Sequence, residues 1–249
     1  MSMPMPGRRP RSRRRPWLII VPAGAVVSAV AAAAFLVSSR PPAGSAPGPA
    51  PSSPAASPAA RVPSPPAGTA VSTADWRTAS VDGAVVPVSA ADGPHRTTGN
   101  VASGFTDTPA GAVLAAVNIS VRVSGQVGPA VFVPTIGGQV TGSAEQALLS
   151  AAWQEYGQGT GNQTPAAGGP AGPATAAVTS FKVTAWSPAQ ASVTLTAAGD
   201  SGSQVQATVA VRLQWLGGDW RLVAPAGGNF TAVPAAARVP AGFTALPGA

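Results

Sequence analysis

The feature that most constrains the fold is an alternation of apolar and polar residues in the last third of the chain. Three segments carry it, namely 178–186, 191–197 and 204–215. A period of two places successive side chains on opposite faces of a strand. Gly217-Gly218 then predicts a tight turn into a fourth strand at 220–223. These patterns predict a curved antiparallel sheet of about four strands with one buried face.

A helix is predicted just after residue 108. Thr108 suits the N-cap, and Pro109 suits the first helical position, where its missing N–H costs nothing. Apolar residues then recur at intervals of three or four as far as Val121. This period predicts a helix over 109–122.

A second helix is predicted after a stretch, 123–142, that has no clear pattern. Ser143 and Gln146 have the spacing of a capping box, and Gly157 is suited to end the helix. One stripe of this helix is predicted to face the core: Leu149, Ala152, Trp153 and Tyr156. The predicted domain is therefore α+β, with two or more helices packed on the sheet.

The N-terminal part carries an uncharged run, 17–37, which as a helix would be about 31 Å long. That length matches the hydrocarbon core of a bilayer and predicts a transmembrane helix. Six arginines precede the run: Arg8, Arg9, Arg11, Arg13, Arg14 and Arg15. The positive-inside rule predicts a cytoplasmic N-terminus, arginines in contact with anionic lipid head groups, and an extracytoplasmic domain.

A twin-arginine export signal is the alternative for the same region. Residues 12–18, SRRRPWL, are similar to such a signal, and an Ala-rich apolar stretch follows. Cleavage would release a secreted protein. The length of the uncharged run, and the lack of an Ala-x-Ala site directly after it, favour retention as an anchor.

Composition divides the chain into five segments. They are a basic cytoplasmic tail (1–16), the transmembrane helix (17–37), a Pro/Ala-rich linker (38–72), the α+β domain (73–226) and a flexible C-terminal tail (227–249). Residues 1–70 hold eight arginines and no acid, whereas the rest holds seven basic and eight acidic residues. The nearly neutral domain therefore lacks the basic surface that nucleic-acid binding requires.

Sequence gives little reason to expect catalysis or a metal. Cysteine is absent, which excludes disulfides and thiolate chemistry. His95 is the only histidine and follows a turn. Asp200 and Asp219 are interpreted as turn residues. We therefore expect no enzyme activity, no cofactor and no metal site. Trp186, on the polar side of its strand, is the candidate for a partner contact.

The arrangement resembles a known class of membrane proteins. Four segments carry the resemblance: VPVSAADGPHR, SGFTDTPAGAVLAAVNISVR, GPAVFVPTI and GGDWRLV. They are similar to an uncharacterised group of actinobacterial bitopic membrane proteins associated with mobile elements. The outer domain resembles the cone-shaped, nuclear-transport-factor-two-like domain of conjugation and type IV secretion assembly subunits. The Gly-rich stretch before the strands departs from that pattern.

The resemblance implies a non-enzymatic scaffold or assembly component of a conjugative DNA-transfer or secretion complex, with other envelope-complex subunits as partners. The alternative is an anchored or exported cell-envelope domain that holds an apolar ligand in its cone cavity. Co-purification of a transfer ATPase would favour the first function, and a retained hydrophobic ligand would favour the second.

Overall fold

The computed structural model describes residues 70–161, 165–174, 176–199 and 206–248. The predicted basic tail, the predicted transmembrane helix over 17–37 and almost all of the predicted linker lie outside these residues.

Two hairpins begin the domain: β1 (Arg77–Val81) with β2 (Ala84–Val88), and β3 (Arg96–Thr98) with β4 (Val101–Ser103). Three helices follow, α1 (Pro109–Arg122), α2 (Pro129–Gln139) and α3 (Glu145–Thr160), with the short strand β5 (Val140–Thr141) before α3. The remaining strands are β6 (Ala176–Ser187), β7 (Gln190–Gly199), β8 (Gln206–Leu216), β9 (Asp219–Val223), β10 (Ala232–Pro234) and β11 (Thr244–Ala245).

The main sheet corrects the predicted fold class. Within the described residues it has seven strands, in the order β11-β6-β7-β8-β9-β5, with β10 paired to β8. The sheet is mixed, because β5 runs parallel to β9 and all other pairs are antiparallel. A purely antiparallel sheet of about four strands is therefore wrong. The same part of the chain also contains no helix that is both long and apolar enough to cross a membrane.

The predicted four-strand meander is confirmed as the centre of this larger sheet. β6 to β9 pair in succession, and Val193 faces Val211 across the β7–β8 pair. Gly217 and Gly218 have φ values of 63° and 81°. Only glycine adopts this left-handed conformation without strain, and it gives the two-residue turn between β8 and β9 the twist that the strands need.

Helix α1 has the predicted boundaries and is the centre of the helical layer. Thr108 Oγ1 accepts a hydrogen bond from the backbone N–H of Gly111, 3.0 Å away, so the predicted N-cap is confirmed. Most of the helix is buried, because it contacts β2, β4 and several strands of the main sheet. Such a helix needs apolar residues on more than one side, and its sequence provides them.

Helix α2 lies in the stretch where the sequence has no clear pattern. Pro134 stands inside it and has no N–H to donate to the Ala130 carbonyl one turn earlier. Asn100 Nδ2 donates to that carbonyl instead, at 3.3 Å. A side chain from the β3–β4 turn therefore supplies a bond that α2 lacks.

For helix α3, both the predicted capping box and the predicted end at Gly157 are wrong. It begins at Glu145, with Ala144 as N-cap and no side-chain cap, and it runs through Gly157 to Thr160. The backbone entering the helix is set by β5 and by Gly142, whose φ is 103°. Local capping preference is weak compared with such a tertiary constraint, and an internal glycine costs a helix only about 1 kcal/mol.

The segment 227–249 differs from the predicted flexible tail, since it carries β10 and β11. Strand β10 (Ala232–Pro234) pairs with β8, and strand β11 (Thr244–Ala245) pairs with β6 at the edge of the main sheet. Leu246 is buried against the core, and its N–H donates to the Thr179 carbonyl. The chain after β9 is therefore part of the fold.

Candidate functional site

A cavity of about 540 Å³ lies between the helices and the main sheet. One wall comes from the C-terminal end of α1, a second from α3, and a third from β6, β7 and β8. The 3₁₀ turn at Gly125–Val127 and the segment 228–232 complete it. Helices and strands thus contribute together to one space.

The floor of this cavity is apolar. Four sheet residues form part of it: Val178, Leu195, Val209 and Val211. Ala152 and Leu148 of α3 also line the cavity and are buried. An apolar cavity of this size suits a small organic ligand.

The rim of the cavity is polar. Five exposed side chains form it: Asp82, Gln154, Gln158, Asn229 and Thr231. Asp82 occupies the tight turn between β1 and β2, with a φ of 45°. A polar rim around an apolar floor is the arrangement that holds an amphiphilic molecule in one orientation.

Glu155 is a carboxylate of the cavity wall that the protein itself holds in place. It accepts hydrogen bonds from Ser124 Oγ at 2.9 Å, from the Gly125 N–H at 2.8 Å and from Gln126 Nε2 at 3.0 Å. These bonds join α3 to the 3₁₀ turn after α1. The carboxylate therefore has a fixed position beside the cavity.

The segment after β9 completes the cavity. Gly228, Phe230 and Ala232 all line it. Gly228 has a φ of 78° and lies so close to α3 that an added Cβ would overlap the backbone of Ala147. No side chain fits at this position, so the glycine allows the segment to close against the helix.

The opposite end of the interlayer space is filled rather than open. Trp220 is fully buried, and its Nε1 donates to the Thr106 carbonyl at 2.9 Å. Asp219, interpreted from sequence as a turn residue, accepts hydrogen bonds from the N–H groups of Gly104 and Phe105 at 2.8 and 3.1 Å. The start of β9 is thereby fixed to the chain entering α1.

A buried cation lies on α1 away from the cavity. Arg122 is 4 % exposed and donates to Asn118 Oδ1 at 2.6 Å and to the Asn100 carbonyl at 3.3 Å. Asn118 in turn donates to the carbonyls of Pro87 and Leu114. Burial lowers the pKa of Arg122 from its usual range to about 10. This network links α1 to both hairpins and is structural.

The predicted site residues are dispersed. The six arginines of the N-terminal cluster lie outside the described residues. Trp186 is half-buried against the core, so its role as a partner contact stays a prediction. His95 is exposed. Within the described ranges, no three His, Asp or Glu side chains gather closely enough for a metal ion.

An exposed aromatic cluster was not expected from sequence. Trp153 is 46 % exposed, although the predicted stripe places it in the core. Its ring lies edge-on to Phe132 and Tyr156, with centroid distances of 5.0 and 5.9 Å. Val133, 40 % exposed, lies beside Phe132 on α2. Ala152 of the predicted stripe is buried, and Leu149 and Tyr156 pack partly buried against the core. Leu148, which the predicted stripe omits, is also buried.

The fold and the cavity define an α+β domain with a ligand-sized, apolar space between its helices and its sheet. The chain belongs to the family described as "Domain of unknown function (DUF8175)", whose model matches residues 38–245. The match includes the predicted linker and the segment that carries β10 and β11. No curated protein and no solved structure matches the chain.

Proposed function

We propose that the domain binds an apolar ligand in this cavity and acts by binding rather than by catalysis. The single observation that carries the proposal is the apolar pocket of about 540 Å³ between the helices and the sheet, which opens to solvent on one side. Its wall is mostly apolar and its rim carries a few polar groups. Pockets of this size and composition are typical of sites that bind small organic molecules.

The chemistry of the wall favours binding over catalysis. Asp82 is exposed in a turn, and Glu155 is engaged by three donors from the adjacent turn. A general acid or base needs a carboxylate that is free to reach the reacting proton. Held in this way, Glu155 supports the wall instead.

We also propose that the domain works in the cell envelope, outside the cytoplasm. The uncharged run 17–37 and the arginines before it support this location, and the Pro/Ala-rich linker would separate the domain from the bilayer. Anionic lipid head groups are the proposed partners of the arginines.

Filling the cavity tests the proposal. The full chain in phosphatidylcholine nanodiscs is titrated calorimetrically with 1-octanol, and protein-free nanodiscs provide the blank. We expect Val209→Phe to weaken binding about tenfold or more, because the larger ring occupies the floor. Ala210→Phe is the matched control, since this neighbour is exposed on the other face of β8. Equal binding by both variants, or no binding by the wild type, would contradict the proposal.

A second candidate function is that of an assembly component of a conjugative or secretion complex. The exposed ring of Trp153 supports it, because tryptophan is enriched at the centres of protein interfaces. We expect Trp153→Ala to reduce recovery of cross-linked envelope subunits after affinity purification. If Trp186→Phe reduces recovery and Trp153→Ala does not, the contact lies on the sheet instead.

A further inference from the structure

We propose that the cavity selects amphiphiles with a neutral or cationic head group and discriminates against anionic ones. This inference rests on the proposed function, since it specifies the ligand class of the same cavity. It depends on which charges the walls hold and on where the chain places its basic residues.

Among the described residues that line the cavity, two are acidic and none is basic. The acids are Asp82 on the rim and Glu155 on the wall. Other polar lining groups, such as Gln154, Gln158 and Asn229, are uncharged amides. An anionic head group would meet two carboxylates with no cation to offset them, which disfavours its binding.

The position of Glu155 strengthens this effect. Its oxygens are held by Ser124, Gly125 and Gln126, so the carboxylate cannot turn away from an approaching anion. The C-terminal end of α1 also borders the cavity, and there Arg122 offsets the partial negative charge of the last carbonyls while its guanidinium is bound to Asn118 and Asn100. The fixed carboxylate of Glu155 is therefore the feature that favours a positive head group.

The basic residues of the sheet do not line the cavity. Arg221 on β9 donates to the Gly138 carbonyl of α2 instead. Arg212 follows Val211 on β8, and Lys182 follows Phe181 on β6; in each pair the apolar residue is buried and the basic residue is exposed. Because successive strand residues point to opposite faces, both cations point away from the cavity. An anionic ligand therefore has no counter-charge from the sheet.

Amphiphiles that share a chain and differ in head charge test the inference. The full chain in phosphatidylcholine nanodiscs is titrated with octyltrimethylammonium, 1-octanol and octanoate below their micellar concentrations, with protein-free nanodiscs subtracted. We expect octanoate to bind about tenfold or more weakly than the other two. Octanoate binding as tightly as octanol would overturn the inference and leave the proposed function standing.

Removal of the rim charge provides the second arm. We expect Asp82→Asn to reduce the difference between octanol and octanoate to about threefold or less. Asp107→Asn is the matched control, because Asp107 is exposed and does not line the cavity. If Asp107→Asn reduces the difference equally, net charge and not the rim is responsible, and the inference fails. If none of the three compounds binds, the proposed function itself fails.

Discussion

The two ends of the space between the helices and the sheet have opposite character. At the packed end, Trp220, Leu213 and Leu222 fill the gap above β8 and β9. At the hollow end, Val209 and Ala152 face each other across the cavity. The same strands, β7 and β8, pass through both ends.

The two ends differ in the size of some of the side chains between the layers. Trp220 fills the packed end, whereas Ala152, Ala197 and Val209 line the cavity. The packed end therefore provides stability, whereas the hollow end gives up packing and leaves room for a ligand. The predictions below test that division.

The largest effect is expected from a truncation at the packed end. Trp220→Ala should lower the free energy of unfolding by about 3–5 kcal/mol, because it removes a fully buried ring and its bond to Thr106. Urea unfolding followed by circular dichroism measures it. Trp153→Ala, at a residue that is 46 % exposed, is the matched control and should cost about 1 kcal/mol. Similar losses for the two variants would refute the division.

Replacing an alanine by leucine should reduce the free energy of unfolding more at the packed end than at the cavity. Ala112→Leu, at a fully buried position of α1, should destabilise by about 1–3 kcal/mol, because no space is available. Ala197→Leu points into the cavity and should change stability by less than about 1 kcal/mol while weakening octanol binding. Urea unfolding and calorimetry compare the variants. A strongly destabilised Ala197→Leu would show that the hollow end has no spare room.

A smaller, pH-dependent effect is expected from Arg122, which lies on the side of α1 away from the cavity. Burial lowers its pKa in the folded state to about 10, below that of the unfolded chain, so the folded state releases the proton first. Unfolding then takes up a proton, and stability relative to Arg122→Met should rise by about 1 kcal/mol between about pH 9 and 11. Replacing the exposed Arg212 by Met should show no such rise. Parallel pH curves for the wild type and Arg122→Met would contradict the prediction.

The sequence predicts a helix or strand correctly where its local pattern agrees with the tertiary environment of that element. The alternation predicts the strands β6 to β9, and α1 has both its cap and its period. Burial does not alternate throughout, since Thr179, Ser180 and Phe181 are all buried beside a register shift in β6. Helix α2 gave no clear signal, because Pro134 and its two late glycines oppose a helix and Asn100 compensates from another element. Strands β5, β10 and β11 have two or three residues each, too few for a pattern to show.

The cavity was foreseen only as an implication of the resemblance, and its residues were not. The residues of its floor are apolar and have the same spacing as residues of a filled core, so periodicity does not distinguish a cavity wall from a packed core. The signal that was available is the small size of the inward residues near Ala197 and Val209, compared with Trp220 and Leu213. The exposed Trp153 was misplaced because helical period fixes a stripe only to within about one residue.

The order of the chain has a consequence for how the cavity arises. Residues 228–232 form part of its wall and come after every other wall residue in the sequence. The wall is complete only after Gly228 has packed against α3 and β10 has paired with β8. A nascent chain that does not yet contain residues 228–232 lacks this part of the wall, so its cavity is more open than that of the complete domain. If the cavity binds a ligand as proposed, the ligand is therefore enclosed only after this last segment has packed against α3 and β8.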